Sequence, residues 1–154
     1  MKKHIRNSVK AVIIREGKIL VLRKQDGVSS YAVLPGGGQK KGEQLPIALI
    51  RECQEEINAT VMVGELLFVR DYIADNHEFA EFSDHLHQVE FYFACTLPEH
   101  YQPSAGSRPD SGQFEVCWVP LNQLNQIGLY PRQLCRFLSA LDDPTRPIYL
   151  GDVN

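Results

Sequence analysis

The chain has 154 residues, 44% hydrophobic and 23% charged, which fits one globular domain over residues 1–154 and excludes a disordered or fibrous protein. Its formal net charge of −3 provides no basic field for capturing a nucleic acid polymer or an anionic membrane. No stretch approaches the roughly 20 apolar residues of a membrane span, and the Lys-rich start lacks a signal-peptide core, so we expect a cytoplasmic protein.

The N-terminal part of the chain is typical of short strands. Two β-branched runs, residues 9–14 and 18–23, are separated by a Glu-Gly pair and predict a hairpin. Residues 31–34 predict a further strand. The next four residues, Pro-Gly-Gly-Gly at 35–38, disfavour both helix and strand, so we expect a loop that continues to about residue 43.

A central helix is predicted over residues 44–57. Pro46 is tolerated in its first turn, and Asn58 suits a left-handed C-terminal position. One side of this helix is apolar and is the predicted core face: Pro46, Leu49, Ile50, Cys53 and Ile57.

The rest of the chain mixes strands and helices. Strands are predicted at residues 61–73, 88–97 and 114–119, and helices at 121–127 and 131–141. The connections 74–87 and 98–113 are long for a compact domain, which makes both candidate substrate walls, and the tail 144–154 is expected to be irregular.

Three glutamates, Glu52, Glu55 and Glu56, fall opposite the predicted core face at spacings of three and four residues. Like charges at such spacings, near the negative end of the helix dipole, are locally unfavourable. A hard divalent cation offsets both penalties, because Mg²⁺ prefers carboxylates together with phosphate oxygens and water. The alternative is a solvated acidic face with Arg51 as partner.

The wider string around these acids resembles the Nudix box of the Nudix hydrolase family. The matching positions are Gly37, Glu43, Arg51, Glu52, Glu55 and Glu56. The chain departs from the family where Asn58 replaces a usual Gly and where Cys53 and Ala59 replace larger aliphatic residues. These departures concern helix termination and packing rather than catalysis.

The resemblance implies the Nudix fold, an α/β/α sandwich with a central mixed sheet. It implies that Glu52, Glu55 and Glu56 bind Mg²⁺ or Mn²⁺, helped by the backbone carbonyl of Gly36. It further implies that Glu43 completes or orients the water shell. By the same resemblance Arg51 is structural and pairs with a box carboxylate such as Glu43.

The resemblance leaves the general base open. A carboxylate takes the proton of the water that attacks phosphorus, and Glu55 or Glu56 can serve. In some relatives the base comes from a later loop, where this chain has Asp110 and Glu115. We keep Glu115 as the third candidate, although a solvent-facing strand residue is an equal reading, and we interpret Asp110 as a turn residue.

Two further groups are candidates for substrate contact. Arg23 and Arg70, placed near predicted strand ends, are plausible phosphate ligands. The connection 74–87 is rich in histidines and acids that can line a pocket or add a ligand, and a His-x-His pair on a strand puts both rings on one face. A plain solvated loop is the alternative. The residues concerned are His77, Glu78, Asp84, His85 and His87.

The leading hypothesis is an enzyme that cleaves a nucleoside diphosphate linked to another moiety, such as a nucleotide sugar or ADP-ribose. Its partner is then a small-molecule nucleotide, and family habit suggests a homodimer. A pyrophosphohydrolase that removes unwanted nucleoside triphosphates is the nearest alternative, and a Nudix-like module that senses a nucleotide without cleaving it is another. The subfamily marks expected about fifteen residues past the box are absent from residues 73–76, so the substrate stays open.

Overall fold

The structure is a computed structural model that describes residues 4–78 and 85–154. The strands are β1 Arg6–Val12, β2 Ile14–Arg15, β3 Lys18–Gln25, β4 Ser30–Val33, β5 Gly36–Gly38, β6 Met62–Ile73, β7 His87–Thr96, β8 Gln113–Pro120 and β9 Tyr149–Asp152. The α-helices are α1 Leu45–Ile57 and α2 Cys135–Leu138, and 3-10 turns lie at Ala74–Asn76, Leu121–Gln123 and Arg132–Leu134.

The strands form two sheets. The larger is mixed, with the order β5-β1-β7-β6-β9, in which β1 is parallel to β7 and β6 is parallel to β9. The smaller is antiparallel and centred on β3, which pairs with β2, β4 and β8. The predicted α/β class with a mixed sheet is confirmed, and the antiparallel sheet adds to it.

Alternation along the inner strands explains the layers. Along β3, Leu20 and Leu22 join a core shared with α1, whereas Ile19 and Val21 join a second core shared with α2. All four side chains are fully buried. Both faces of β3 are therefore covered, which produces an α/β/α arrangement.

Several predicted elements differ from the structure. The hairpin partner of β3 is only Ile14–Arg15, because β1 leaves that sheet and pairs with β7. The glycine run is a strand rather than a loop, because Gly36, Gly37 and Gly38 pair with β1. The tail is not wholly irregular, since β9 covers the outer edge of β6.

The C-terminal helices are shorter than predicted. Within residues 121–127 only Leu121–Gln123 forms a 3-10 turn, and within 131–141 a 3-10 turn precedes the four-residue α2. The first segment holds two Asn residues and is followed by a Gly, and both residue types are weak helix formers. No helix in residues 4–78 and 85–154 has the length and hydrophobicity needed to cross a membrane.

The histidine-rich connection is only partly described, and Asp84 lies outside the described residues. His85 has φ 57° and lies in a turn, whereas His87 begins β7, so the two rings do not share a strand face as predicted. His77 and His87 instead contact Asp152 and Asp71, at 2.7 and 2.8 Å.

The connection 98–113 caps the C-terminal end of α1. The N–H of Arg108 donates to the carbonyl of Glu55 at 2.8 Å, and the N–H of Gly106 donates to that of Glu56 at 3.2 Å. The Tyr101 hydroxyl donates to the carbonyl of Ile57 at 2.6 Å. These bonds satisfy carbonyls that the end of a helix leaves unpaired. The loop that we predicted to be a substrate wall thus supports the acidic helix.

Gly106→Ala tests this cap. A β carbon on Gly106 would collide with the carbonyl oxygens of Gln54 and Glu55. The loop must then move away from α1, and we expect the free energy of unfolding to fall by about 1–3 kcal/mol. Urea unfolding followed by circular dichroism measures it. The exposed neighbour Ser107 provides the control Ser107→Ala, and equal stability of Gly106→Ala and the wild type would contradict the proposed cap.

Candidate active site

The site begins where the glycine strand β5 meets α1. Gly36 has φ 142°, and a β carbon there would collide with the carbonyl of Val9 on β1. A β carbon on Gly37 would lie 2.6 Å from the carboxyl carbon of Glu52. Glycine is required at Gly36, because its φ is positive and its neighbours are backbone atoms of β1, whereas a side chain at Gly37 would push the Glu52 carboxyl aside.

Arg51 joins the loop before α1 to the helix. Its Nε donates to Glu43 Oε1 at 2.6 Å, and its Nη2 donates to Glu43 Oε2 at 3.0 Å and to the Gly38 carbonyl at 3.0 Å. This bidentate pairing and an N–H of Lys40 lower the pKa of the Glu43 carboxyl to about 2. Glu43 is therefore a permanent anion that fixes the guanidinium in place.

The same guanidinium gathers two more acids. Arg51 Nη1 lies 2.9 Å from Glu52 Oε1 and 3.4 Å from Glu55 Oε2. Both carboxylates are partly exposed, with side-chain exposures of 13% for Glu52 and 22% for Glu55. One nitrogen of Arg51 thus holds two of the three predicted ligands side by side.

Glu56 is buried, with 3% exposure, which corrects the prediction that it lies off the core face. It follows Leu49 by seven residues and Cys53 by three, so it continues their buried stripe. Its Oε2 accepts the N–H of Gly36 at 3.0 Å. Burial raises the pKa of the Glu56 carboxyl to about 8, although Lys10 and that N–H favour its charged form.

The side chains here suit a hard divalent cation in their chemistry, because Glu52, Glu55, Glu56 and the Gly36 carbonyl offer only oxygen. In the structure, however, the Gly36 carbonyl oxygen already faces a positive charge, because Lys10 Nζ lies 3.5 Å from it. Within residues 4–78 and 85–154, no three His, Cys, Asp or Glu side chains are arranged to hold a metal ion. A shared ion requires the carboxylates to rotate toward one another.

A cavity of about 710 Å³ adjoins this site. Lys10 belongs to both, since it lines the cavity while its Nζ reaches Gly36. The rings of Tyr31 and Tyr130 meet edge to face at 6.1 Å in the cavity wall. The full lining is Lys10, Asp26, Val28, Ser29, Tyr31, Val33, Leu34, Arg70, Glu90, Tyr92, Tyr130 and Asn154.

Arg70 lines this cavity from β6, three residues before that strand ends at Ile73. Its Nε donates to Glu90 Oε2 at 2.7 Å, and Tyr92 also donates to that oxygen. Burial alone would raise the pKa of the Glu90 carboxyl, but Arg70, Lys10 and Tyr92 hold it at about 2. This buried pair forms a charged, fixed part of the cavity wall.

Arg23 and Glu115 lie elsewhere, on β3 and β8. They are register partners with 3.5 Å between Arg23 Nη1 and Glu115 Oε2, and the Glu115 side chain is 48% exposed. Arg23 also stacks on Phe114, and neither Arg23 nor Glu115 lines the cavity. Asp110, interpreted above as a turn residue, pairs with Lys24 at 2.7 Å.

Of the cavity lining, sequence reasoning named only Arg70, and the residues that it missed include Lys10, Tyr31, Tyr130 and Asn154. Lys10 had a usable signal, because a lysine in the middle of a β-branched strand needs an anion or a polar cavity nearby. The two tyrosines and Asn154 stand in unremarkable contexts and are brought together only by the fold.

Comparison with known proteins finds one matching family and several similar structures. A family model described as NUDIX domain matches residues 4–137. No curated protein matches the chain by sequence. Among solved structures, a NUDIX hydrolase from Nitrosomonas europaea has a TM-score of 0.74 at 21% identity, covering 100% of this chain and 81% of that chain.

Two other similar structures have more specific names. A UDP-X diphosphatase has a TM-score of 0.72 at 20% identity, covering 99% of this chain and 69% of that one. An ADP-ribose pyrophosphatase from Streptococcus suis has a TM-score of 0.62 at 17% identity, covering 97% and 98%. At these identities the likenesses show the fold alone.

Arg51→Lys tests the role of the guanidinium. Lysine keeps the charge but loses the fork that binds Glu43 on two sides and reaches Gly38. We expect the free energy of unfolding to fall by about 1–3 kcal/mol, measured by urea unfolding at neutral pH. The exposed Arg108 gives the matched control Arg108→Lys, and an equal effect of both substitutions would refute the role of the fork.

Glu90→Gln tests the buried pair. At neutral pH it leaves Arg70 without a counter-charge, and we expect a loss of about 3–5 kcal/mol in the free energy of unfolding. Because the pKa of Glu90 is lowered from 4.5 to about 2, its stabilisation is present above pH 4.5 and is lost as pH falls toward 2.

The difference between wild type and Glu90→Gln must therefore shrink across that interval. Urea unfolding at stepwise pH values measures it. The exposed Glu65 gives the control Glu65→Gln, and a difference that stays constant down to pH 2 would contradict the assignment.

Proposed function

This chain belongs to the Nudix hydrolase family and is a pyrophosphohydrolase, and we propose that it cleaves a nucleoside diphosphate linked to another moiety. Nucleotide sugars and ADP-ribose-type compounds are the class meant. One observation carries the proposal: the acidic site on α1 and the 710 Å³ cavity share Lys10. A substrate that lies along Lys10 would place its diphosphate at the glutamates of α1 and its nucleoside end in the cavity.

The cation site is proposed at Glu52, Glu55 and Glu56 with the Gly36 carbonyl, for Mg²⁺ or Mn²⁺. When bound, the ion neutralises diphosphate charge and makes water a better nucleophile. Two features of this chain support that site. Arg51 Nη1 contacts both Glu52 and Glu55, and burial raises the pKa of the Glu56 carboxyl more than Lys10 and the Gly36 N–H lower it.

Substrate binding is proposed in the cavity for the nucleoside end. Its volume is within the range of about 300–1,000 Å³ usual for small-molecule sites. Tyr31 and Tyr130 provide aromatic surface for a base, and Lys10 provides a charge for phosphate at the junction with α1. Arg70 contributes as a wall residue, whereas Arg23 lies outside the lining and its predicted phosphate contact has less support.

The general base is proposed to be Glu55 or Glu56. Both carboxylates are on α1, beside the predicted cation and the diphosphate. Glu115 stays the third candidate, with less support, because Arg23 pairs with it on β8 and nearly half of its side chain is exposed.

The similar structures named a UDP-X diphosphatase and an ADP-ribose pyrophosphatase support this substrate class, since both names denote diphosphates that carry a nucleoside. A small nucleotide rather than a nucleic acid polymer also agrees with the net charge of −3. The homodimer and the cytoplasmic location stay predictions.

Glu55→Gln and Glu56→Gln test the proposal. We expect each to lower turnover by roughly 10²–10⁴-fold, because each removes a charged oxygen ligand or the base. Glu56→Gln should stay folded, since an amide still accepts the Gly36 N–H and avoids burying a charge. Turnover is measured by mass spectrometry of products from nucleotide sugars, dinucleotides and nucleoside triphosphates, with and without Mg²⁺.

Glu65→Gln is the matched control, because Glu65 is an exposed acid on β6. Glu115→Gln, measured in the same series, tests the third candidate for the general base. Full activity of both Glu55→Gln and Glu56→Gln would overturn the site, and release of pyrophosphate from triphosphates alone would overturn the substrate class.

A further inference from the structure

Tyr130 enters the cavity wall from a short segment that lies along β4. The N–H of Tyr130 donates to the carbonyl of Ala32 at 3.0 Å, and the N–H of Ala32 donates to the carbonyl of Gly128 at 3.0 Å. These bonds fix the backbone of Tyr130 beside β4, where its ring meets the ring of Tyr31 edge to face. The backbone bonds alone leave the side chain a choice of rotamers, so the orientation of the ring depends on further contacts.

Arg132 supplies such contacts. Its Nη2 donates to the Tyr130 hydroxyl at 2.6 Å, and its guanidinium carbon lies over the Tyr130 ring, 4.9 Å from the ring centre. The hydrogen bond fixes the outer end of the tyrosine side chain. The second contact places a positive charge over one ring face, which attracts the electrons of the ring. One arginine therefore restrains Tyr130 both at its hydroxyl and at its ring.

Glu78 in turn orients the guanidinium of Arg132. Glu78 Oε1 lies 3.4 Å from Arg132 Nη2. Burial and the charge of Glu78 raise the pKa of the Tyr130 hydroxyl, whereas the charge of Arg132 lowers it, so all three groups lie close together. The Arg132 and Glu78 side chains are 59% and 45% exposed, and such a pair adds little to the stability of the fold. Its effect is local, because the acid and the hydroxyl together determine where the guanidinium lies.

The cavity lies on the other side of the Tyr130 ring. Tyr130 lines the cavity, whereas neither Arg132 nor Glu78 does. The guanidinium is therefore behind the ring as seen from the cavity, and the opposite side of the ring faces the enclosed volume. This position suits Arg132 to hold a cavity residue in place rather than to contact a ligand in the cavity.

We propose that Arg132 is a positioning residue for nucleoside binding, because it holds Tyr130 in the orientation in which a nucleobase stacks on the ring. A base that meets a ring already held in place does not have to order that side chain, which is one of the costs of association. Stacking tolerates every base, since each base has aromatic faces. The inference rests on the proposed function in one respect, that the cavity takes the nucleoside end of the substrate.

Arg132→Ala tests the inference, and Arg136→Ala is the matched control. Arg136 is an exposed arginine whose guanidinium carbon lies 4.7 Å from the centre of the Phe137 ring, outside the cavity lining. With ADP-ribose and with UDP-glucose we expect Arg132→Ala to raise KM about three- to tenfold, the cost of ordering one side chain. Its kcat should stay unchanged, because substrate and transition state lose the same binding. Arg136→Ala should match the wild type.

Calorimetric titration with adenosine and AMP separates base stacking from attraction of phosphate, and it does not depend on hydrolysis. If Arg132 acts through Tyr130, Arg132→Ala raises Kd by the same factor, about three- to tenfold, for both ligands. A loss for AMP alone would show that Arg132 attracts phosphate. That result, an unchanged Kd for both ligands, or a wild type that binds neither ligand would each overturn the inference.

Tyr130→Phe keeps the ring and removes the hydroxyl that Arg132 binds. We expect it to weaken adenosine binding about as much as Arg132→Ala does. The double variant should bind about as well as either single variant, because both substitutions break the same contact. Losses that multiply in the double variant would contradict the positioning role. Thermal unfolding by circular dichroism checks that each variant is folded.

The two sets of measurements keep the inference apart from the proposed function. If the wild type cleaves neither diphosphate but binds adenosine with the expected differences between variants, the proposed function fails and the role of Arg132 stands. If the wild type cleaves them and Arg132→Ala changes neither KM nor Kd, the role of Arg132 fails and the enzyme stands.

Discussion

The close approach of the glycine strand β5 to α1 is the constraint on which the site depends. A side chain at Gly36 would collide with β1, and one at Gly37 would displace the carboxyl of Glu52. Because both positions are glycine, β5 pairs with β1 and still lies directly under the helix. The N–H of Gly36 thereby reaches the carboxyl of Glu56, and a carboxylate enters the core at the point where the strand exposes its backbone.

Two buried carboxylates, Glu90 and Glu56, have different pKa values because their surroundings differ. Glu90 has a guanidinium, a hydroxyl and an amide as partners, so its pKa is about 2 and it is a fixed anion. Glu56 has one backbone N–H and the more distant Lys10, so burial dominates and its pKa is about 8. The first carboxylate is neutralised by the protein itself. The second gains from an added positive charge, which is the electrostatic property that a cation site needs.

How far the sequence predicts the fold depends on how local each determinant is. The central helix and the long strands after β1 follow from periodicity within a few residues, and their ends are correct to within one or two positions, whereas β1 begins three residues before the predicted start. The prediction of a loop at Gly36–Gly38 was wrong because these residues pair with β1, which lies outside any local sequence window. β9 was missed for the same reason, since β6 supplies its partner.

The acidic residues of the site are also determined locally, whereas the cavity beside them is not. The acids of α1 are spaced three and four residues apart, so one short string identifies them. Even there, the prediction that Glu56 faces away from the core was wrong, because its spacing from Leu49 and Cys53 places it on the buried stripe of the helix.

The cavity has no such string, because Lys10, Tyr31, Arg70, Tyr130 and Asn154 come from five separate segments. Apart from Lys10, each is ordinary in its own sequence context, and only the folded chain brings these side chains around one volume. The acids of α1 are therefore readable from consecutive residues, whereas the lining of the cavity is determined by packing between distant ones.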